Sequence, residues 1–475
     1  MSFRRRCLTG AIALAAGVTL IGGPAVADPV HSGGSSADIS GGSSADIKDR
    51  ILAIPGMSLI EEKPAPDGNR FFLLDYTQPV DHRDPDGETF QQRVSILHTG
   101  EDRPTVFWTN GYYINPNPAA SEPTQLLGGN EVGMEHRFFG ESVPDPDDWS
   151  TLDIWQSAND QHRIHEALDD IYAEEWISSG RSRGGMVATY YRYFFPDDMA
   201  GTVAYVAPSI TDREDTEPYD AFLATVGTQE CRDALAALER EALERRDEMV
   251  GLHTAWAEEN GATFETVGSA DASFESGPNL LRWQFWQVNT VDDCADIPGT
   301  DATSQEIYDY LAATTGFASD QELAPTQPHY YHAATQLGNP LYSVDHLDDL
   351  LEYPELMYSA AFVPPRIELP AFDNSAVVDV HEWVRDESER MLYVNGADDP
   401  WSAKPFEAGP GSEDTHVLTA PGTNHVGIGI DRLADGDRAL ATSSLLEWAG
   451  LGDEAAALSA RAYDPALDHP ATPLR

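Results

Sequence analysis

Basic residues are scarce in this sequence of 475 residues, in which 29 lysines and arginines face 80 aspartates and glutamates. Only three of the 29 are lysines, namely Lys48, Lys63 and Lys404. The formal net charge of −51 repels nucleic acids and anionic membranes, and we therefore expect neither as a partner. An acidic, lysine-poor surface suits solubility at high ionic strength, where salt screens self-repulsion. The charge itself indicates no particular reaction.

Long apolar runs are also rare, and one of them stands near the N-terminus. This run, CLTGAIALAAGVTLIGG, follows three arginines at residues 4–6 and leads to Ala25-Val26-Ala27. A positive start, an apolar centre and a small-x-small site predict a secretory signal peptide over residues 1–27. An uncleaved membrane anchor is the alternative, disfavoured because the run is short and ends in a cleavage site. No later stretch is suited to span a bilayer, so we expect a secreted, extracellular protein without membrane contact after signal removal.

Cysteine is nearly absent. The sequence has three cysteines, of which Cys7 falls in the predicted signal peptide. The mature chain keeps Cys231 and Cys294, an even pair in an oxidising compartment, and we predict a disulfide between them. Two buried free thiols are the alternative.

Recognisable metal-binding patterns are lacking as well. The histidine pairs in HRIH and HYYH come without the carboxylate spacing of a zinc helix. The acidic turn HRDPDGE lacks the full spacing and the distal glutamate of a calcium loop. We therefore predict no metal and no cofactor. The oligomeric state is left open.

The order of apolar and polar segments predicts an α/β protein. Residues 28–50 contain the octad SGGSSADI twice and are typical of a flexible polar segment. Strand-like and helical runs alternate over residues 51–210 and again over residues 386–455, which implies a mostly parallel sheet covered on both faces. Residues 211–385 are mainly helical and predict a cap inserted into this core. Residues 456–475 form a predicted C-terminal tail.

Two helices are predicted with definite bounds. Residues 154–172 form an amphipathic helix ahead of the strand EEWISSG. In the cap, residues 231–259 are strongly charged and predict one long amphipathic helix. Both mature cysteines lie in the cap, so the predicted disulfide would join parts of the cap rather than the α/β core.

The segment EEWISSGRSRGGMVATYYRYFF places a serine between a strand and a helix. Gly180, Ser182 and Gly184 match G-x-S-x-G, the pattern of a nucleophile elbow. The turn is tight, so its flanking positions need glycine, and the backbone N–H of Arg183 points to where an oxyanion forms. A purely structural strand-to-helix turn is the alternative.

Chain order favours the catalytic interpretation. An elbow serine needs an acid after a later strand and a histidine closer to the C-terminus. The segment MLYVNGADDPWS supplies Asp398 and Asp399 directly after a strand, and APGTNHVG supplies His425 after the next one. His425 would take the proton of Ser182 and return it to the leaving group. The spacing alone does not choose between the two aspartates.

Four segments resemble the secreted actinobacterial peptidase family S37, which includes prolyl tri/tetrapeptidyl aminopeptidases. They are MEHRFFGESVPDPDDWSTLDIWQSANDQHRIHEAL, SGRSRGGMVATYYRYFFPDDMAGTVAYVAPS, VNGADDPWS and PGTNHVGIG. A more distant resemblance is to family S28 of prolyl carboxypeptidases and dipeptidyl peptidases, which shares the patterns EHRxxGxS, GxSxGGM and NGxxDPW. The resemblance covers most of residues 50–450. It implies an α/β-hydrolase fold and a serine exopeptidase that acts near proline.

Carried over by motif, the resemblance implies Ser182 as the nucleophile, Asp399 as the acid and His425 as the base, which resolves the choice between the two aspartates. One feature departs from the family pattern, which has a lysine after the serine and small residues before it. This chain has Arg183 and Arg181 at those positions. The departure bears on fine specificity rather than on mechanism.

The second oxyanion N–H is predicted to come from Tyr112, in the segment NGYY that follows the strand TVFWT. Together with the N–H of Arg183, it would form the oxyanion hole. A simple β-turn at this place is the alternative.

Three side chains are candidates for contact with substrate. Glu135 is a candidate for binding the free amino group of a peptide, and a structural pair with Arg137 is the equally favoured alternative. Trp283 and Trp286 are candidates for the wall of a proline pocket. Aromatic residues at helical spacing are, however, more often part of a core.

The sequence therefore predicts a secreted serine exopeptidase of the aminopeptidase type. It would act through an acyl-enzyme and release short, proline-ending tri- and tetrapeptides from peptides with free N-termini. A secreted carboxylesterase or lipase with the same triad is the first alternative. A peptide-binding protein without catalysis is the second alternative, disfavoured by the intact order of serine, acid and histidine.

Overall fold

The structure is a computed structural model that describes residues 46–145, 147–212, 215–452 and 463–470. The predicted signal peptide and residues 28–45 of the predicted flexible segment lie outside the described residues. The same holds for residues 453–462 and 471–475 near and within the predicted tail.

A single nine-stranded sheet organises the chain, in the order β1-β2-β3-β5-β4-β6-β7-β8-β9. The first three strands and β5 pair antiparallel, and all pairs from β5 through β4 to β9 are parallel. The strands are β1 Met57–Pro64, β2 Arg70–Pro79, β3 Thr89–His98, β4 Thr105–Thr109, β5 Asn130–Met134, β6 Trp176–Arg181, β7 Gly201–Tyr205, β8 Met391–Gly396 and β9 His416–Ala420.

The central strands are apolar on both faces, as a parallel sheet between two helical layers requires. In β4, Val106 and Trp108 point into one core cluster, whereas Phe107 points into the cluster on the opposite face. Because successive side chains of a strand alternate between faces, one short apolar run serves both layers.

Thirteen α-helices occur in the described residues. They are α1 Ile47–Leu52, α2 Glu122–Leu127, α3 Ile154–Leu168, α4 Arg183–Phe194, α5 Glu217–Thr225, α6 Gln229–Glu244, α7 Arg246–Asn260, α8 Ala270–Val288, α9 Ser304–Thr314, α10 Asp320–Leu323, α11 Gln327–His332, α12 Ser375–Asp386 and α13 Asp435–Trp448.

Helices cover both faces of the sheet. Helices α1, α3, α4 and α12 pack on one face, and α2 and α13 pack on the other. A mostly parallel sheet between two helical layers, with a helical insertion between β7 and β8, is the α/β-hydrolase fold. The predicted fold class is therefore confirmed.

The end of the helical insertion differs from the predicted boundary at residue 385. Val377, Val380 and Val384 of α12 are buried against Met391 and Tyr393 of β8. This helix therefore belongs to the layer on the sheet. The physical reason is that a parallel strand needs a crossover helix before it, and α12 supplies the one before β8.

The cap lies between β7 and α12 and has an apolar core of its own, built from α5 to α9. A disulfide joins Cys231 in α6 to Cys294 in the turn that precedes α9. The long helix predicted over residues 231–259 is wrong, because the chain breaks at Arg245 into α6 and α7. The Arg245 guanidinium donates to the carbonyl oxygens of Thr300 and Ala302, and the break lets both helices pack on α8.

Both ends of the described chain are packed more closely than the sequence suggested. Helix α1 begins at Ile47, inside the segment predicted to be flexible, because Ile47 and Ile51 are buried under the sheet. At the other end, His469 is buried, stacks on Trp108 with ring centroids 5.2 Å apart and contacts Glu131 at 2.6 Å. Within the described residues, no helix has the length and apolar character needed to cross a membrane.

Candidate active site

The candidate catalytic residues follow β6, β8 and β9. These strands run parallel in the sheet, with β7 between β6 and β8 and with β9 next to β8. Parallel strands end at the same edge, so Ser182, Asp399 and His425 lie on loops at one edge of the sheet.

Ser182 sits in a strained turn between β6 and α4. Its φ of 57° and ψ of −127° lie outside the conformations that a serine normally adopts. The backbone N–H of Ser182 donates to the carbonyl oxygen of Tyr205 in β7 at 2.8 Å, which holds the turn on the sheet. A Cβ atom on Gly184 would lie 1.9 Å from the carbonyl oxygen of Thr109, so only glycine fits there. The geometry is that of a nucleophile elbow.

Asp399 and His425 are in direct contact. The Nδ1 atom of His425 lies 3.1 and 3.2 Å from the two carboxylate oxygens of Asp399. Asp399 is fully buried and His425 is 4% exposed. The same carboxylate accepts hydrogen bonds from the N–H of Trp401 at 3.1 Å and the hydroxyl of Ser402 at 2.7 Å. A carboxylate held in this way orients the imidazole and leaves Nε2 for proton transfer.

The neighbouring Asp398 makes a different set of contacts. Its backbone N–H donates to the carbonyl oxygen of Thr423 at 2.9 Å, and its carboxyl group is partly exposed. Partial burial raises the pKa of this carboxyl above its ordinary value. Of the two aspartates that the spacing left open, the structure brings Asp399 to His425.

The loop that carries His425 is anchored on three sides. Asn424 donates to the carbonyl oxygen of Asn289 at the end of α8, at 3.0 Å. Arg181, next to the elbow serine, donates to the carbonyl oxygen of Ile428 at 3.5 Å. On the third side, the buried carboxylate of Glu122 accepts the backbone N–H groups of residues 430 and 431. These contacts connect the loop to the cap, to the elbow and to α2.

Sequence reasoning missed Glu122. The residue begins α2 and is followed by proline, which is typical of an acidic first turn on an ordinary helix. Its side chain is instead 3% exposed and also accepts the hydroxyl of Tyr205 at 2.9 Å. Burial raises the pKa of Glu122 to about 7, against the lowering effect of the three hydrogen bonds it accepts.

The segment after β4 lies directly against the elbow. A Cβ atom on Gly111 would be 2.7 Å from the backbone nitrogen of Gly184, and the φ of Gly111 is +74°. The Arg183 guanidinium donates to the carbonyl oxygen of Gly111, which ties the two loops together. No backbone hydrogen bond within the described residues uses the N–H of Tyr112 or of Arg183. Both predicted oxyanion donors therefore lie on touching loops.

Arg183 is a buried cation without a carboxylate partner among the described residues. The residue is 2% exposed, and its second terminal nitrogen lies 3.0 Å from Nδ1 of His332. Its guanidinium also packs over the rings of Tyr112 and Phe139, 5.3 and 5.2 Å from their centroids. Burial lowers the pKa of Arg183 to about 10. In this chain, the arginine that departs from the family pattern connects the elbow to the predicted oxyanion loop and to the cap.

Glu135 follows β5 and lies beside the predicted oxyanion loop. Its carboxylate accepts the N–H of Ile114 at 3.3 Å, the N–H of Glu141 at 3.0 Å and the hydroxyl of Ser142 at 2.8 Å. Burial raises its pKa above the ordinary value. The alternative pairing of this glutamate with Arg137 is wrong.

Arg137 pairs with Asp160 instead. Two of its nitrogens each lie 2.7 Å from a carboxylate oxygen of Asp160, and both residues are fully buried. This bidentate pair holds α3 under the loop after β5. In the described part of the chain, Glu135 has no arginine within ion-pair distance, and the charge of Arg93, which lies closer to Asp75, lowers its pKa only from longer range.

The two candidate tryptophans have different surroundings. Trp283 stacks on Tyr342 with ring centroids 5.2 Å apart and meets the ring of Trp401 edge-on at 5.2 Å. These three rings line a cavity between the cap and the catalytic edge. Trp286 does not line this cavity, since its ring fills the space over Gly227, where a Cβ would be 2.0 Å away. Helix α8 is buried on several sides, so the two residues face different neighbours.

Trp401 connects the cavity to the candidate triad, and no role was predicted for it. It lies two residues after Asp399, and its ring centroid is 6.2 Å from that of His425. In the sequence, the one feature that could have pointed to Trp401 was its place in the motif Asp-Pro-Trp. In the described ranges, no group of three or more His, Cys, Asp or Glu side chains is arranged to hold a metal ion.

The chain is similar to known proteins over most of its length. The prolyl tri/tetrapeptidyl aminopeptidase of Streptomyces mobaraensis is 48% identical over 433 residues, which cover 89% of this chain and 90% of that protein. The lysosomal Pro-X carboxypeptidase of Mus musculus is 25% identical over 176 residues, or 32% of this chain and 36% of that protein. A crystal structure of proline iminopeptidase from Mycobacterium smegmatis covers 79% of this chain and 98% of its own, with 15% sequence identity and a TM-score of 0.38.

The family described as PS-10 peptidase S37 matches residues 41–469. This match includes the elbow, the acid loop and the histidine loop described above. With a family match of this extent and a relative at 48% identity, the chain belongs to the peptidase S37 family and is a serine peptidase.

Proposed function

We propose that this protein is a secreted aminopeptidase that releases short, proline-ending tri- and tetrapeptides from free N-termini, with Ser182, Asp399 and His425 as its triad. The observation that carries the proposal is the contact between Asp399 and His425, buried at the sheet edge that also carries the strained serine. The position of the cleaved bond and the length of the released peptide are suggested by the relative at 48% identity, whose name is prolyl tri/tetrapeptidyl aminopeptidase.

In the proposed reaction, His425 Nε2 accepts the hydroxyl proton of Ser182 while the serine oxygen attacks the carbonyl carbon of the scissile bond. The N–H groups of Tyr112 and Arg183 stabilise the oxyanion of the tetrahedral intermediate. When the C–N bond breaks, His425 gives its proton to the leaving amine, and the short peptide remains as an ester on Ser182. Water, deprotonated by His425, then attacks the ester, and the proton returns to the serine as the peptide leaves.

We assign the amino group of the substrate to Glu135. One of its carboxylate oxygens receives two donors at 3.0 and 2.8 Å, whereas the other receives only the longer bond of 3.3 Å from Ile114. The second oxygen therefore retains capacity to accept a charged donor. A peptide ammonium there would satisfy a carboxylate whose burial raises its pKa.

Export is proposed to depend on residues 1–27. The test is to express the full chain in an exporting host and to sequence the N-terminus of protein recovered from the medium. A chain that begins at Asp28 supports export with cleavage after Ala27. A chain that stays in the cell with Met1 in place contradicts it.

The activity is tested with the mature chain and its Ser182→Ala variant on three substrates. These are Ala-Ala-Pro-p-nitroanilide, the same peptide with an acetylated N-terminus, and p-nitrophenyl butyrate. Of the two peptides, we expect only the one with a free N-terminus to be cleaved. The Ser182→Ala variant should not cleave it. Turnover of the butyrate ester without either peptide would identify a carboxylesterase and refute the aminopeptidase.

A further inference from the structure

The side chain of Arg183 contacts the peptide unit that carries the second predicted oxyanion donor. Its guanidinium donates to the carbonyl oxygen of Gly111, and this carbonyl belongs to the same peptide unit as the N–H of Tyr112. The backbone N–H of Arg183 is the other predicted donor. One residue therefore supplies one donor from its backbone and holds the peptide unit of the second donor with its side chain.

The backbone groups on either side of this peptide unit are engaged as well. The N–H of Gly111 donates to the hydroxyl of Thr109 at 3.0 Å, and the carbonyl oxygen of Tyr112 accepts the N–H of His136 at 2.9 Å. None of the backbone hydrogen bonds within the described residues uses the N–H of Tyr112. The peptide unit is therefore fixed in orientation and keeps its N–H for an oxyanion.

A hydrogen bond to a carbonyl oxygen strengthens the N–H of the same peptide unit as a donor. Hydrogen bonds in series polarise one another by about 10–30% per bond, and charged donors have the larger effect. Burial lowers the pKa of Arg183 only to about 10, so the guanidinium keeps its charge at neutral pH. The contact of Arg183 with Gly111 therefore favours a strong donor at the N–H of Tyr112.

The guanidinium is held in turn by His332, at the end of α11. The second terminal nitrogen of Arg183 lies 3.0 Å from Nδ1 of His332. A guanidinium only donates, so Nδ1 accepts and the ring proton is on Nε2. Nε2 lies 3.0 Å from Oε1 of Gln336, which also accepts the N–H of Ile154 at 2.9 Å. The N–H of Ile154 thus orients Gln336, and Gln336 fixes the tautomer of His332.

The surroundings of His332 keep its ring neutral and in place. The residue is 1% exposed, and burial together with the charge of Arg183 holds its pKa well below the ordinary value. His332 and Gln336 stand where α11 passes into a π-helical turn over Ala333–Leu337. Such turns are rare and frequently occur at functional sites.

We propose that His332 is a positioning residue of the reaction, which holds the Arg183 guanidinium on the carbonyl oxygen of Gly111. It thereby sets the orientation and the donor strength of the Tyr112 N–H. This inference rests on the proposed function, which uses that N–H as an oxyanion donor, and deepens it. The charge of the oxyanion develops in the transition state, so a weakened donor slows the chemical step and leaves peptide binding unchanged.

The experiment compares His332→Leu with His332→Asn in the mature chain, on Ala-Ala-Pro-p-nitroanilide. Leucine removes the acceptor, whereas the amide oxygen of asparagine can replace Nδ1. We expect kcat to fall about tenfold in His332→Leu, with KM within about twofold of the parent. His332→Asn should recover kcat to within about threefold of the parent. Unchanged kcat in His332→Leu, a rise in KM alone, or equal losses in both variants would overturn the inference.

A second variant covers the case in which leucine prevents folding. Gln336 is only partly buried, and Gln336→Met removes the acceptor that fixes the tautomer of His332. Its kcat should fall about threefold at constant KM, and an unchanged kcat would again overturn the inference.

The matched control is Thr335→Ala in the same π-helical turn. The hydroxyl of Thr335 donates to the carbonyl oxygen of Tyr331 at 2.9 Å, and the residue is buried. This variant should melt at a lower temperature and keep the kcat of the parent. A loss of kcat as large as in His332→Leu would show that any disturbance of the turn slows the reaction, which contradicts a specific role of His332.

Labelling with a fluorophosphonate separates this inference from the proposed function, because it requires no peptide specificity. The oxygen of Ser182 forms a bond to phosphorus, fluoride leaves, the hydroxyl proton passes to His425, and the phosphoryl oxygen takes the place of the oxyanion. We expect labelling about tenfold slower in His332→Leu than in the parent, even if the parent cleaves no p-nitroanilide. Equal labelling rates overturn the inference alone, whereas a parent that is not labelled overturns both the inference and the triad.

Discussion

Glu122 offers a sharp test of how the histidine loop is held. Its carboxylate accepts the backbone N–H groups of Ile430 and Asp431 at 2.7 and 2.9 Å and the hydroxyl of Tyr205 at 2.9 Å. The carbonyl oxygen of the same tyrosine accepts the N–H of Ser182. One buried carboxylate therefore connects the strand beside the elbow to the loop of the candidate base. The perturbation is Glu122→Gln, which keeps the shape and removes the titration.

The expected size follows from the pKa of Glu122, which burial raises from 4.5 to about 7. In the unfolded chain the carboxyl loses its proton near pH 4.5, whereas in the folded protein it keeps the proton up to about pH 7. Between these values the folded state binds more protons than the unfolded state, so the free energy of unfolding falls as the pH rises. At about 1.4 kcal/mol for each pKa unit, the contribution of Glu122 falls by about 3 kcal/mol and is constant above pH 7.

The assay is urea unfolding of the parent and of Glu122→Gln from pH 3 to pH 8.5. Subtracting the free energy of unfolding of the variant from that of the parent cancels the contributions of the other titrating groups. This difference should fall as the pH rises to 7. Glu131→Gln is the matched control, because the pKa of Glu131 is lowered by His469 and by hydrogen bonds despite its burial. The free energy of unfolding of the parent minus that of Glu131→Gln should rise with pH, in the range below pH 4.5. A flat difference for Glu122 would refute the reasoning.

Two further predictions concern the cap and the triad. The disulfide between Cys231 and Cys294 closes 63 residues of the cap, and its removal by Cys231→Ala with Cys294→Ala should cost about 4 kcal/mol in urea unfolding. A loss below about 1 kcal/mol would contradict the loop-closure argument. Asp399→Asn should lower kcat about 10³- to 10⁴-fold with little change in melting temperature, because His425 Nδ1 faces both carboxylate oxygens at 3.1 and 3.2 Å. A kcat within tenfold of the parent would be the contrary result.

The sheet and the elbow were predictable because both depend on local patterns. Short apolar runs that alternate with helical ones predict a parallel sheet, and the run before Ser182 became β6 as expected. The glycines around the serine are needed by close backbone contacts, so the pattern itself carries the geometry. The chain order of serine, acid and histidine depends only on which strands precede them. The roles of these three residues remain a prediction that the activity measurements test.

Contacts between distant segments were not predictable from local patterns. The break of α6 and α7 at Arg245 involves no proline or glycine, and depends on carbonyl groups more than 50 residues away. The sequence offered Glu135 as the partner of Arg137, and the structure pairs Arg137 with Asp160 on α3, 23 residues away. Trp283 and Trp286 are equivalent in helical spacing, but only the first faces the cavity. Long-range packing decides each of these cases.

The cap and the catalytic loops hold each other in place through contacts at three points. Asn424, next to His425, donates to the end of α8, and Arg183 contacts His332 at the end of α11. The hydroxyl of Tyr113 donates to the carbonyl oxygen of Pro325. Each contact joins a residue beside a candidate catalytic group to a segment of the cap. The position of the cap is therefore tied to the loops that carry the candidate base and the predicted oxyanion donors.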